Sequence, residues 1–197
     1  MNRVTVFIST DGTESNGYLF GDGYIKSIKY SNQLMDTTFD INPTVIEQYA
    51  EVVFRDKDKT ILNLVVDGTL TKDLKVFVYV DNILYQTYLT SSWDVQAQNS
   101  TITLHCNDET KKLENIQTQL VDVGSRTLKQ LLQLGFTWSG YSWDCENNDI
   151  DTLISSIVIA DSYVKFQDLL TYFKKLCLVG FLRIYWNKDK FIVARCF

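Results

Sequence analysis

Residues 74–80, LKVFVYV, are apolar on both faces of a strand, with Phe77 and Tyr79 on one side and Leu74, Val76, Val78 and Val80 on the other. A strand with one wet face alternates apolar and polar residues. One that is greasy on both faces needs cover from a second layer or from another subunit. This separates the chain from a simple solvated barrel. The 197 residues make one large or two small domains, long enough to bury about two-thirds of the unfolded surface.

More strands are predicted around this stretch. Residues 3–9 (RVTVFIS) alternate, and a Gly/Asp/Asn-rich loop follows them. Residues 18–20 and 24–30 flank the tight GDG turn at 21–23. Residues 45–55 read as one long strand closed by DKDK, and Thr60–Val66 as the next, ending at Asp67-Gly68. Asp81-Asn82 separates 74–80 from a strand over 83–89. In 101–106, Ile102, Leu104 and Cys106 share one face, and Thr101, Thr103 and His105 the other. Eleven Tyr and eleven Phe suit half-buried strands, while one Pro and nine Gly leave no room for linkers. Short strands at this spacing predict a barrel or sandwich.

After residue 106 the period changes. Asp108 and Glu109 open a short helix that carries Lys111 and Lys112. Thr127 and Gln130 form a capping box ahead of Leu128, Leu131 and Leu132, a stripe ending at Gly135. The clearest helix is expected between residues 162 and 180, where Phe166, Leu169, Leu170, Phe173, Leu176 and Cys177 line one side and Gly180 is the stop. A final hairpin runs from FLRIYW through Asn187-Lys188-Asp189 into KFIVARCF. A chain ending on a strand either docks it firmly or continues past Phe197. The fold class is mainly β with an α+β C-terminal part: a barrel-like β domain over 1–122, an α+β module over 123–197, and a few helices.

Chemistry is scarce. The net charge is −5, from 19 basic and 24 acidic residues without a Lys/Arg cluster, which argues against nucleic-acid binding by phosphate neutralisation. No apolar run reaches the roughly 18 residues of a membrane span, and MNRVTVFIST lacks a signal-peptide core. The chain reads as a soluble protein of a cytosol-like compartment. Cys106, Cys145, Cys177 and Cys196 form no C-x-x-C pair and read as free thiols rather than zinc ligands.

His105 is the single histidine, so a Ser-His or Cys-His pair has to use it, but its mid-strand place favours a structural role. Cys145, in WDCENNDID, looks the most reactive thiol, yet acidic neighbours raise its pKa. Asp144, Glu146, Asp149 and Asp151 offer oxygens for calcium, but the run lacks the glycine at position six of an EF-hand loop and reads as a solvated acidic loop. The GDG turn joins strands and is no phosphate loop. Trp138, Tyr141 and Trp143, in WSGYSW, either form a platform for a sugar ring or pack in the core around a turn. No catalytic, cofactor-binding or metal residue is assigned, and no enzymatic activity is expected.

One succession of elements carries a resemblance. The hairpin ILYQTYLTSSWDV leads to NSTITLHCND, then KKLENI, TLKQLLQLGF and YVKFQDLLTYFKKLCLVGFLRIYWNKDKFIVA. From about Tyr24 to Val193 this pattern resembles the hub proteins at the tail tip of bacteriophages, from the central baseplate hub of contractile tails to tail-associated proteins of long non-contractile tails. Members of that family are usually longer, so the chain reads as a fragment, a cleaved product or a minimal hub. The resemblance implies a structural virion protein without cofactor, a homotrimer whose barrel-like domains form a pseudo-sixfold ring. Such a ring joins the tail tube to a spike or fibre and lets DNA pass through its lumen, an acidic one being compatible with that. It places the chain in the virion, at the tail tip or baseplate, after assembly in the host cytoplasm. Two alternatives stand beside it: a carbohydrate-binding, adhesin-like β module of a virion using Trp138, Tyr141 and Trp143, and a hydrolase using His105 with a carboxylate or Cys145.

Overall fold

The structure is a computed structural model, and its described residues are 3–21, 23–32, 44–96 and 100–196. The chain divides into two compact units, Met1–Asn32 with Gln48–Asp108, and Gln33–Glu47 with Glu109–Phe197. The mainly β fold with an α+β C-terminal part is what the sequence predicts.

The elements up to residue 107 are β1 (Val4–Ser9), β2 (Gly17–Phe20), β3 (Ile25–Asn32), β4 (Thr44–Ile46), β5 (Gln48–Arg55), α1 (Thr60–Val66), β6 (Lys75–Val80), β7 (Ile83–Gln96) and β8 (Thr101–Asn107). All these strands except β4 build the sheet of the first unit, antiparallel throughout, in the order β2-β1-β6-β7-β8-β5-β3. The sheet curls on itself. Phe20 of β2 meets Phe54 of β5 edge-on at 5.4 Å, and Tyr30 of β3 meets Tyr85 of β7 at 5.3 Å, although several strands intervene. Yet β2 and β3, joined through the turn after Phe20, share no ladder, so among the described residues the barrel stays open. Asp22, the middle of that turn, lies outside the described residues.

Val6, Ile8, Val52, Phe54, Val76, Val78 and Leu104 fill the inside of the curl. Phe77 points to the other face of β6 and is still only 5% exposed, with the Phe7 ring at 6.1 Å and Lys75 Nζ 5.5 Å over its centre. The cover required by the two-sided strand is thus supplied in part by the chain itself.

Two expectations change here. Thr60–Val66 is not a strand but the helix α1. Buried Asp56 accepts the N–H groups of Ile61 at 3.0 Å and Leu62 at 2.8 Å, satisfying the first turn, and Ile61 is fully buried. Capping and burial override the β-branched composition. The single strand expected over 45–55 is two: the path breaks at Glu47, β5 joins the first unit's sheet, and β4 pairs in parallel with a strand of the second unit.

The second unit continues with a 3-10 helix (Glu109–Asn115), β9 (Val121–Thr127), α2 (Leu128–Ser139), β10 (Trp143–Cys145), α3 (Asn148–Ser156), β11 (Val158–Val164), α4 (Leu169–Gly180), β12 (Leu182–Asn187) and β13 (Lys190–Arg195). The expected hairpin, β12 and β13, forms the centre of a sheet ordered β10-β13-β12-β4, whose outer pairs are parallel. The β9 and β11 strands pair as a separate antiparallel ribbon.

The capping box at α2 is present: Thr127 Oγ1 accepts Gln130 N–H at 3.2 Å, and Gln130 Oε1 accepts Thr127 N–H at 3.0 Å. The helix runs through Gly135, where a Cβ would come within 2.8 Å of the Phe173 ring, and ends at Gly140 with φ +72°. The helix expected from residue 162 begins only at Leu169, because Asp168 caps it by accepting Thr171 N–H at 2.7 Å. Phe166 falls outside it and is exposed, while Leu169, Leu170, Phe173, Leu176 and Cys177 line the core. At the other end a Cβ on Gly180 would lie 2.5 Å from Leu128 Cδ2. Glycine is needed there for close approach, so the left-handed turn that ends α4 falls on Phe181, φ +52°. Among the described residues no helix is long and apolar enough to cross a membrane.

Candidate functional site

His105 stands on β8 with its Nε2 2.9 Å from Asp94 Oδ2 of β7. Its register partner on β5 is Glu51, which pairs with Lys29 of β3 at 3.5 Å. His105, Glu51 and Lys29 border a groove of about 480 Å3, lined also by Tyr49 and Asn107. The histidine is bonded to a carboxylate on an exposed sheet face, an arrangement that joins strands β7 and β8.

Cys145 lies in the second unit. It sits in β10 rather than in a loop, and its thiol points to Asp151 Oδ1 at 3.7 Å. Burial first, and the Asp151 charge second, push the thiol up to about 11. That is the opposite of what a nucleophilic cysteine needs. The expected acidic loop is likewise ordered into β10 and α3, with Asn147 capping α3 by accepting Ile150 N–H at 3.1 Å. Its acids find separate cations: Asp144 with Lys190 at 3.0 Å, Glu146 with Arg183 at 3.9 Å, and Asp151 with Lys129 at 2.7 Å. The Lys190 hydrogen bond holds the Asp144 carboxyl below its ordinary value. Asp149 occupies the first turn of α3, where the helix dipole favours a negative charge. Among the described residues no group of three or more His, Cys, Asp or Glu side chains could hold a metal ion.

The three rings of WSGYSW pack against different parts of the second core. Trp138 meets Tyr172 at 5.9 Å, Tyr141 meets Trp186 and Phe191 at 5.6 and 5.3 Å, and Trp143 stacks on Phe136 at 5.2 Å. Trp143 Nε1 also donates to Gln133 Oε1 at 3.0 Å. All three rings are partly buried against the core, the packing that one of the two expected roles describes.

The two lysines of KKLENI differ. Lys111 makes a surface pair with Glu114 at 2.7 Å, whereas Lys112 lies 2.9 Å from Glu109, whose side chain is buried. Both units also expose apolar residues. The second unit exposes Leu120, Val158 and Phe166 at the ends of its ribbon and Leu178, Val179 and Phe181 at the end of α4. The first exposes Leu19, Ile83 and Tyr85. Sequence reasoning missed the ribbon residues because nothing in VDVGSRT or VIADSYV separates a two-stranded arm from a core strand.

No family model and no curated protein matches the chain. Solved structures with a similar fold include tail proteins. The 43 kDa tail protein of prophage MuSo2 from Shewanella oneidensis aligns with TM-score 0.59 and 9% identity, covering 99% of this chain and 56% of that one. Prophage tail protein gp18 from Listeria monocytogenes EGD-e gives 0.62 and 12%, over 98% of this chain and 50% of that one. A chain of the Francisella PdpA-VgrG complex gives 0.54 and 11%, over 98% and 31%. The chain thus spans about half the length of the two tail proteins and less of the third. The fold is shared with all three.

Proposed function

We propose that this chain is a structural part of a phage-type tail, a hub or adaptor at the tail tip or baseplate that joins the tail tube to a spike or fibre. The observation that carries this reading is the fold likeness to tail proteins over 98–99% of the chain, both units included. The chemistry agrees with a non-enzymatic role. His105 is bonded to Asp94, burial and the Asp151 charge raise the pKa of the Cys145 thiol, and Asp144, Glu146 and Asp151 are ion-paired. The working form is a homotrimeric ring in the virion, assembled in the host cytoplasm. The exposed apolar residues of both units supply contact surface, since burial at a joint contributes more than exposed ion pairs. The net charge of −5 suits a lumen through which DNA passes without adhering.

The test is electron microscopy of the purified protein, alone and with its tail-tube and spike partners, together with its mass in solution. Rings, or density at the tail tip, are expected. A monomer at high concentration that stays out of tail particles overturns the reading.

A further inference from the structure

We propose that β4 is a coupling strand, through which the second unit can fold only while the first is folded. This does not depend on the tail role. The core of the second unit contains Val45, 1% exposed, and Ile46 beside it is 3% exposed. Both arrive on a strand of three residues that registers Thr44, Val45 and Ile46 against Arg183, Ile184 and Tyr185 of β12. The Ile46 carbonyl accepts Thr110 Oγ1–H at 3.5 Å, and Glu47 pairs with Lys174 of α4 at 3.6 Å. So short a strand cannot hold itself in place.

The remainder of the second unit starts at Glu109, and the whole run 48–108 between the two pieces belongs to the first. For the second unit to assemble, a loop of roughly 60 residues has to close, which costs conformational entropy. Folding of the first unit closes it beforehand. Gln48 N–H donates to Asp108 Oδ2 at 3.0 Å, and Asp108 N–H donates to the Gln48 carbonyl at 3.0 Å. Both residues are buried, and Gln86 Nε2 donates to Gln48 Oε1 at 2.7 Å. The two ends of the loop are thus clasped where β5 begins and β8 finishes, with one residue between that clasp and β4 and none between it and Glu109. The coupling is reciprocal: a formed second unit holds the same two ends together and favours the clasp.

Trp93 is the only tryptophan of the first unit, and Trp138, Trp143 and Trp186 belong to the second. In a Trp93→Phe full-length chain, indole emission therefore follows the second unit alone. Adding Val52→Ala, a fully buried site on β5, is expected to move the urea midpoint of that emission down together with the far-ultraviolet transition. A flexible spacer of Gly and Ser between Glu47 and Gln48, which leaves β4 free to dock, is expected to weaken this transfer. Val52→Ala that lowers the stability of the first unit and leaves the emission midpoint unmoved overturns the proposal. Hydrogen exchange on the unmodified chain tests the coupling without any substitution. Amides of β5 and β8 are expected to exchange no faster than those of α4 and β12, and an opening of the first unit that leaves the second protected refutes the coupling.

Discussion

Tyr141 donates its hydroxyl to Glu109 Oε2 at 2.7 Å and so fastens the WSGYSW segment to the 3-10 helix of KKLENI. Lys112 reaches the same oxygen at 2.9 Å. Glu109 is 4% exposed, so these two donors are what compensates a buried carboxylate. Burial, and then the bond to Glu109, hold the Tyr141 hydroxyl well above its ordinary pKa. Glu109→Ala should cost about 1–3 kcal/mol in urea unfolding, the range for leaving buried partners unsatisfied. Lys112→Glu should destabilise as well. Lys111→Glu, which breaks only the surface pair with Glu114, should stay within about 0.5 kcal/mol. Lys111 is accordingly the clean probe of assembly, and any loss of association should grow at low ionic strength.

The apolar side of α4 makes a second test. Leu170 is 5% exposed and Phe173 fully buried, so alanine at either should cost about 2–5 kcal/mol. Phe166→Ala should cost under about 0.5 kcal/mol in the isolated chain, because its ring stands in solvent. Equal losses at Phe166 and Phe173 would place Phe166 in the core.

Phe77 sets a third. A lysine there meets the ammonium of Lys75 and enters a site that is 5% exposed, so Phe77→Lys should lower stability by roughly 3 kcal/mol. Tyr79→Phe loses only the bond to Glu14 at 2.6 Å and should cost about 1 kcal/mol or less. Unchanged thermal melting of Phe77→Lys would mean that this face is open.

Cys145 should be sluggish toward alkylating reagents. A thiol moved from 9.0 to about 11 carries roughly a hundredfold less thiolate below pH 9. Because the folded pKa is the higher one, its contribution to stability is complete below pH 9 and disappears as pH rises through about 11. Iodoacetamide labelling of the native chain at pH 8, read by peptide mass, checks the first statement. Labelling of Cys145 as fast as in the urea-unfolded chain would contradict it.

Gly180 and Phe181 should respond in opposite senses. Gly180→Ala drives a methyl into Leu128 and should cost about 1–3 kcal/mol. Phe181→Gly relieves a bulky residue of φ +52° and should stabilise by up to about 1 kcal/mol, measured by urea midpoint.

Local signals were legible wherever they decide the outcome locally. Thr127 and Gln130 announced α2, and Asn187-Lys188-Asp189 announced the β12–β13 hairpin, because a cap or a turn is written in a few adjacent residues. The stripe on α4 was visible, but one residue too many was counted into it: Phe166 has the right spacing, and the signal that stops the helix short of it is Asp168. Thr60–Val66 misled because its helix is secured by Asp56, a side chain that only the bend of the chain brings to the amides. The split at Glu47 had no local mark at all. Val45 and Val52 look alike in sequence, and the parallel pairing of β4 with β12 is set by residues far along the chain. For the candidate site, the histidine and the acids were found by residue type, whereas their ion-pair partners, Asp94, Lys129 and Lys190, come from other elements and were invisible.

The placement of β4 also sets a clock. Val45 leaves the ribosome roughly 140 residues before Ile184, its partner on β12. At a usual pace of about 5–20 residues per second, this is a wait of roughly 7–28 seconds. Throughout it, two β-branched residues meant for a core have no core to enter. Pairings this distant fold slowly and leave strand edges open to strangers. The nascent chain should therefore be most prone to aggregate while β12 is still being made, and a chaperone that holds extended apolar segments would find its first target at Val45-Ile46.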